Sequence, residues 1–407
     1  MTRISTLLQE AEREIQPVFK DIEEMVFFNQ ARVLEAFQAV RVREHHFYSS
    51  TGYGYNDMGR DLLEDIYARV FGAEDALVRS QMVSGTHAIS LCLFGLLKPG
   101  DELVAAVGKP YDTLAQIIGI DRPLPDTLVD QGVLYREVPL REGRVDVDAL
   151  EEVVGEQTKM VFIQRSRGYA YRPALLVDDI RQVVERVKAR NPRTVCMVDN
   201  CYGEFTENLE PPQAGADITV GSLIKNPGGG LAPCGGYVVG KKKLVERVAA
   251  RLTAPGLGKE VGASLWDQRL IYQGFFVAPH VVGEALKGAV LVANVLEHLG
   301  YDVSPRWDEP RGDIVQAVKM GSVEGIRAFC QAIQGSSPVD GDVTLEFAPM
   351  PGYEEQIIMA AGTFIQGSSI ELSCDAPARE PFAVYLQGGL TYQHVRYALI
   401  KVLEVLL

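Results

Sequence analysis

Between residues 61 and 240, short apolar runs rich in β-branched residues alternate with segments of helical periodicity. That alternation narrows the fold more than any other feature of the chain. The runs are ELVAAV (102–107), GVLYREVPL (132–140), KMVFIQ (159–164), TVCMVDN (194–200), DITVGS (217–222) and GGYVVG (235–240). RDLLEDIYARVFG reads as an amphipathic helix stopped by Gly72, HAISLCLFGLLKPG as a more apolar helix, and VDDIRQVVERVKAR (177–190) as a third. Strands separated by helices predict an α/β fold with a mainly parallel sheet covered on both faces, whose ligands sit at the carboxyl ends of the strands. Residues 1–50 read as a charged N-terminal helical arm and 51–280 as the large domain. Residues 281–407 read as a smaller C-terminal α/β domain, entered by a long helix over 278–300 and containing DIVQAVKM, IIMAAGTF, SIELSCD and FAVYLQGG.

Composition sets bounds on the function. The chain has 407 residues, 47% of them hydrophobic, and a net charge of −14. These values fit a packed globular protein, and the acidic balance argues against nucleic acid or an anionic membrane as partner. An anionic cofactor then needs a local positive site. No uninterrupted apolar stretch reaches the roughly 18 residues of a bilayer span. The charged start, MTRISTLLQEAEREIQPVFK, lacks the apolar segment of a signal peptide, so a cytoplasmic location is expected. The six cysteines form no C-x-x-C pair and read as buried free thiols. The six histidines give no metal-ligand pattern, and no carboxylate cluster suits a hard cation.

The strand ends carry the chemistry. In GSLIKNPGGG, Lys225 sits between an apolar run and three glycines. Asp199 closes TVCMVDN, 26 residues earlier, which leaves room for one intervening strand. A carboxylate there stands over the crevice, unless it merely caps a turn. Ser84-Gly85-Thr86-His87 opens the second helix, as a plain N-cap or as an anion site of free N–H groups. Ser222, three residues before Lys225, supplies a further hydroxyl. A lysine amine, a carboxylate and an anion cup are together what pyridoxal phosphate requires.

The order SGTHA, PYDTL, VDNCYGE, SLIKNPGGG resembles that of fold-type I pyridoxal-phosphate enzymes, whose fold is aspartate-aminotransferase-like. Within them the chain is similar to the cystathionine and methionine lyases, and in particular to the methionine γ-lyase-like family that carries an aluminium-resistance label. The resemblance implies a lyase that breaks the carbon–sulfur bond of an amino acid by β- or γ-elimination, with an aldolase or aminotransferase as the alternative. Lys225 would be the Schiff-base lysine and Asp199 the partner of the ring nitrogen. Gly85, Thr86 and Ser222 would hold the phosphate, with His87 and Tyr202 as further cofactor contacts. Tyr111 would stack on the ring and help protonate the leaving group.

The resemblance also implies a homotetramer with shared sites, in which Tyr53 or Tyr55 of STGYGYNDMGR completes a neighbour's phosphate site. The family's tyrosine-x-arginine pair is missing there, and Arg60 is the nearest substitute. Arg379, in the proline-stiffened connection APAREP, is expected to hold the substrate carboxylate, with Arg167 of QRSRGY as its rival. Arg165 and Arg167 either lie near the cofactor, where they would change which substrate fits, or sit in a solvated loop. APGLGKEVG (254–262) reads either as a glycine hinge or as a lid approaching a neighbour's site.

Overall fold

In the computed structural model, residues 3–120, 124–265, 268–350, 353 and 355–407 are described. The chain opens with helices α1 (Arg3–Glu14) and α2 (Gln16–Ala39), then α3 (Met58–Phe71). Asp57 caps α3 by accepting the Arg60 N–H, and Gly72 ends it at φ +65°, where a side chain would be strained. The alternating region follows as β1 (Asp75–Arg79), α4 (Gly85–Leu96), β2 (Glu102–Ala105), α5 (Asp112–Ile118) and β3 (Leu134–Glu137). It continues through α6 (Val147–Val153), β4 (Thr158–Gln164), α7 (Val177–Arg190), β5 (Val195–Asp199), β6 (Ile218–Ser222), β7 (Gly236–Gly240) and α8 (Lys242–Leu252).

These strands form one seven-stranded sheet in the order β1-β7-β6-β5-β4-β2-β3. Only β7 runs against its neighbours β1 and β6. The central strands β5 and β6 are buried at every residue, because helices cover both faces. On one side α4 and α8 pack Leu93, Leu96, Val245 and Val248 against Met197 and Val220. On the other, α6 and α7 pack Leu150, Ile180 and Val184 against Val161 and Val198. This is the parallel, doubly covered sheet that the apolar runs predict.

Helix α9 (Arg269–His298) leads to β8 (Val303–Ser304), β9 (Val315–Lys319), α10 (Val323–Gln334), β10 (Ile357–Ala360), β11 (Ser373–Pro377), β12 (Ala383–Gln387) and α11 (Tyr392–Leu406). Its strands make a second, antiparallel sheet ordered β10-β11-β12-β9-β8. Among the described residues, α9 is the one helix long and apolar enough to span a bilayer, but 72% of its most apolar window is buried inside the protein. The core continues across it, from Tyr67 and Phe275 to Val290, Val384 and Leu399.

The glycines after Lys225 serve this packing. Gly229 and Gly230 adopt φ +53° and +75°. The Gly228 carbonyl packs so closely on Gly274 of α9 that a Cβ on Gly274 would collide with it. The loop is thereby clamped between sheet and helix, and Lys225 is held from behind.

Glu204, in the turn after β5, is fully buried; its Oε1 accepts the Tyr237 O–H at 2.7 Å and its Oε2 has no partner. Burial, aided by nearby Glu210, pushes its carboxyl up to about 8 against the Tyr237 bond. The unfolded chain ionises near the ordinary carboxylate value of about 4.3. Folding therefore favours the proton: the stabilisation is complete below that value and is lost as pH climbs to 8. Glu204→Gln should gain about 2–4 kcal/mol on the parent between pH 4.5 and pH 8, read by urea denaturation at both. A difference independent of pH would mean that Glu204 is ionised in the native state.

Candidate active site

Helix α4, strands β4, β5 and β6, and the second sheet enclose a cavity of about 290 Å³. Lys225, Asp199, Gly85, Thr86, Ser222, Tyr111 and Tyr202 all line it, although they are spread over 141 residues of chain. A larger groove of about 660 Å³ runs along Lys98, Arg247 and Arg251, but it is open and holds no such assembly.

Each of these side chains is placed by a strand end or helix start. Asp199 is the last residue of β5, and its Oδ1 accepts the Cys201 N–H at 3.1 Å. Burial pushes its pKa up, while the Lys225 charge and the Cys201 N–H pull it down. Lys225 stands just beyond β6 with Nζ 4.1 Å from the centre of the Tyr202 ring. Burial opposes its charge, but the surrounding acidic groups, Cys201, Tyr202, Asp199 and Tyr111, prevail and push its pKa well above the ordinary lysine value. Tyr202 itself sits at φ +73°, a backbone conformation rare for a bulky residue, and its phenol bonds Ser369 Oγ at 3.2 Å.

At the start of α4, Ser84 Oγ accepts the His87 N–H at 3.1 Å. The N–H groups of Gly85 and Thr86 lie in the first turn, where no helical carbonyl reaches them. A Cβ on Gly85 would stand 3.0 Å from Ser222 Cβ and 3.3 Å from Cys201 Sγ, so the absence of a side chain keeps this corner open. Tyr111 caps α5, and its N–H donates to Gln164 Oε1 at 3.3 Å. Burial first, then Asp199, push its phenol far above the ordinary value, against a hydrogen bond with Thr86. An amine, a buried carboxylate, a stripped helix N-terminus and an aromatic ring thus meet in one enclosure. That donor set fits pyridoxal phosphate.

The sequence profile of the methionine gamma-lyase family matches residues 4–407. The chain belongs to the methionine gamma-lyase family. It is 52% identical over 400 residues to protein YnbB of Bacillus subtilis (strain 168), across 98% of this chain and 95% of that one. The crystal structure of a carbon-sulfur lyase involved in aluminum resistance from Clostridium novyi NT matches with a TM-score of 0.95 at 46% identity, over 100% of this chain and 96% of the other. The pyridoxal-5'-phosphate dependent protein YhfS from Escherichia coli shares the fold, at TM-score 0.63 and 18% identity, over 94% and 97% of the two chains. No group of three or more His, Cys, Asp or Glu is arranged to hold a metal ion among the described residues of this family member.

Other expected site residues lie elsewhere. The His87 ring accepts the Val83 N–H and does not line the cavity. Tyr53 and Tyr55 are 73% and 57% exposed, away from this chain's own cavity. Their loop binds the segment expected as hinge or lid, since the Gly262 N–H donates to the Tyr53 carbonyl at 2.9 Å. Arg60 is buried beneath both loops, donating to the carbonyls of Gly54 and Gly262 and paired with Asp61. Within this chain its donors are taken up by these loops and by Asp61.

The three expected arginines lie outside the lining of this cavity. Arg165 is buried under the β5–β6 turn, bonded to Asn200, Gly203 and Glu207. Arg167 donates to the Ser304 carbonyl at 2.7 Å and faces Asp313, tying the β4 loop to the second sheet. Arg379 donates to Glu355 at 2.9 Å and stands 3.8 Å from Asp112. Carboxylates of their own hold all three away from the cavity, and sequence order gives no hint of those partners. The residues that line the cavity unannounced include Cys201, Gln164, Tyr169, Tyr353, Asp375, Tyr385 and Gln387. Asp375 had one visible signal, a lone carboxylate within an otherwise buried strand.

Proposed function

We propose that the chain is a pyridoxal-phosphate-dependent carbon–sulfur lyase that acts on a sulfur amino acid by β- or γ-elimination, releasing a thiol, ammonia and a 2-oxo acid. One observation carries this reading: Lys225, Asp199 and the bare N-terminus of α4 converge on a single buried cavity. Gly85 and Thr86 N–H groups with Ser222 would hold the cofactor's phosphate, Asp199 its ring nitrogen, and Lys225 its aldehyde carbon. When bound, the cofactor supplies an electron sink for the pair left at the substrate α-carbon.

The remaining work falls to the chain's own side chains. As the uncharged amine, Lys225 Nζ takes the α-proton, in an enclosure that keeps water from competing for it. Asp199, held by the Cys201 N–H, fixes a negative charge at the cavity floor and favours a protonated partner. Tyr111 acts as an acid. Its phenol stays protonated far above neutral pH, so it delivers a proton to a departing thiolate. Membership of the methionine gamma-lyase family supports this choice of bond.

The test is product analysis on purified, cofactor-loaded protein with a panel of sulfur amino acids. Thiol with pyruvate or 2-oxobutyrate in equal amounts is the expected result. Glycine with an aldehyde, or amino-group exchange without thiol, would replace the lyase by an aldolase or an aminotransferase.

We further infer a homo-oligomer, as a dimer of dimers, in which the exposed Tyr53 and Tyr55 complete a second copy's site. Exposed Leu257 and Leu265, on the adjoining segment, give the same surface an apolar character. Light scattering should report a multiple of the chain mass, and a fully active monomer would contradict the shared site.

A further inference from the structure

Asp375 belongs to β11 and reaches the cavity from the second sheet. It is nine-tenths buried. Its Oδ2 accepts the Gln387 Nε2–H at 2.9 Å, while its Oδ1 has no hydrogen-bond partner. Burial pushes the carboxyl up to about 7, against hydrogen bonding by Gln387 and the Tyr169 phenol and against the Lys225 charge. The Tyr169 phenol is a hydrogen-bonding neighbour of this carboxyl, yet it leaves Oδ1 without a partner of good hydrogen-bond geometry.

The surroundings are aromatic. Tyr169, Tyr202, Tyr353 and Tyr385 line the same cavity. The Tyr169 ring lies 5.6 Å from that of Tyr353 and 5.5 Å from that of Tyr385. The Tyr385 hydroxyl already donates to the Tyr169 carbonyl at 2.7 Å, and that of Tyr202 is engaged with Ser369. These residues therefore offer a ligand ring surface more than free donors. Among the described residues lining the cavity, Lys225 is the one cation. A buried acceptor without a donor, walled by phenol rings, calls for a cation brought in by the ligand, because rings and carboxylate both attract an ammonium.

We propose that Asp375 determines specificity, with Oδ1 receiving a second, cationic nitrogen carried on the sulfur-bearing part of the substrate. The substrate class is a sulfur amino acid with a distal ammonium group. This rests on the carbon–sulfur lyase reading of the same cavity.

Two compounds of equal length test it: S-(2-aminoethyl)-L-cysteine, which ends in an ammonium, and S-propyl-L-cysteine, which ends in a methyl. Dissociation constants from calorimetry and kcat/KM from pyruvate release are measured on the cofactor-loaded protein. The parent should prefer the aminoethyl compound by roughly tenfold or more, and Asp375→Asn should cut that preference to about twofold or less. Should Asp375→Asn fail to fold, Tyr353→Leu decides: a preference lowered about threefold supports the site, and an unchanged one overturns it. Equal binding and equal pyruvate release from both compounds in the parent would overturn the ammonium site and leave the lyase reading standing. If neither compound binds, the ammonium site falls, and the lyase reading is then decided by the wider panel, which includes substrates that release 2-oxobutyrate.

Discussion

Lys225→Ala is expected to leave no measurable turnover, a loss of roughly 10⁴-fold or more if one lysine serves as both anchor and base. It should also leave the cofactor only loosely held. Borohydride treatment followed by peptide mass spectrometry should mark Lys225 in the parent and nothing in the variant. The size of the effect follows from the site's isolation. Lys225 is the only amine lining the cavity among the described residues, and no neighbouring lysine stands ready to substitute. Lys225→Arg provides the control for charge. It keeps a cation beside Asp199 but offers no nucleophilic amine, so it should be as inactive as the alanine variant while melting closer to the parent. Normal turnover in either variant would remove the central claim about this cavity.

The sheet was legible because its strands are buried on both faces. Burial forces runs such as KMVFIQ and TVCMVDN to be almost wholly apolar, and a polar residue at the end of such a run marks where the chain leaves the core. Asp199 and Ser222 announce themselves this way, and both line the cavity. Gly85 and Thr86 are legible for another reason, since a helix start needs a cap, here Ser84. The strand β1, which pairs with β7, was less visible: Asp75–Arg79 is short and carries charge at both ends.

The partners of the arginines were hidden for a physical reason. A guanidinium goes where carboxylates and carbonyls satisfy its donors, and those partners come from distant sequence. Asp313 and Ser304 hold Arg167, 137 to 146 residues away. Glu355 and Asp112 hold Arg379 from two different elements. The tyrosine wall was hidden for the same cause. Tyr169 follows β4 and Tyr385 lies on β12, so they meet only because the two sheets close on each other. No periodicity within either segment encodes that closure.

Asp199→Asn should slow turnover by more than tenfold while leaving the fold and the Lys225 attachment intact. Asparagine retains an oxygen for the Cys201 N–H, so the turn after β5 keeps its geometry and only the charge is lost. An opposite charge within a few ångströms shifts a partner's proton affinity by about 1–3 pKa units, which corresponds to ten- to a thousandfold in its protonated population. Burial works against Asp199 here, pushing its own pKa up. The Lys225 charge offsets part of that. Once Lys225 is engaged with the cofactor, a protonated ring nitrogen would take over as the counter-charge, which is why the carboxylate belongs at this strand end. The step affected is removal of the α-proton. Exchange of that proton with deuterium from solvent, followed by mass spectrometry, reads it apart from thiol release. An exchange rate equal to the parent's would reduce Asp199 to a turn residue that accepts one backbone N–H. A rate lowered tenfold or more, with borohydride still marking Lys225, would assign the loss to the missing charge alone.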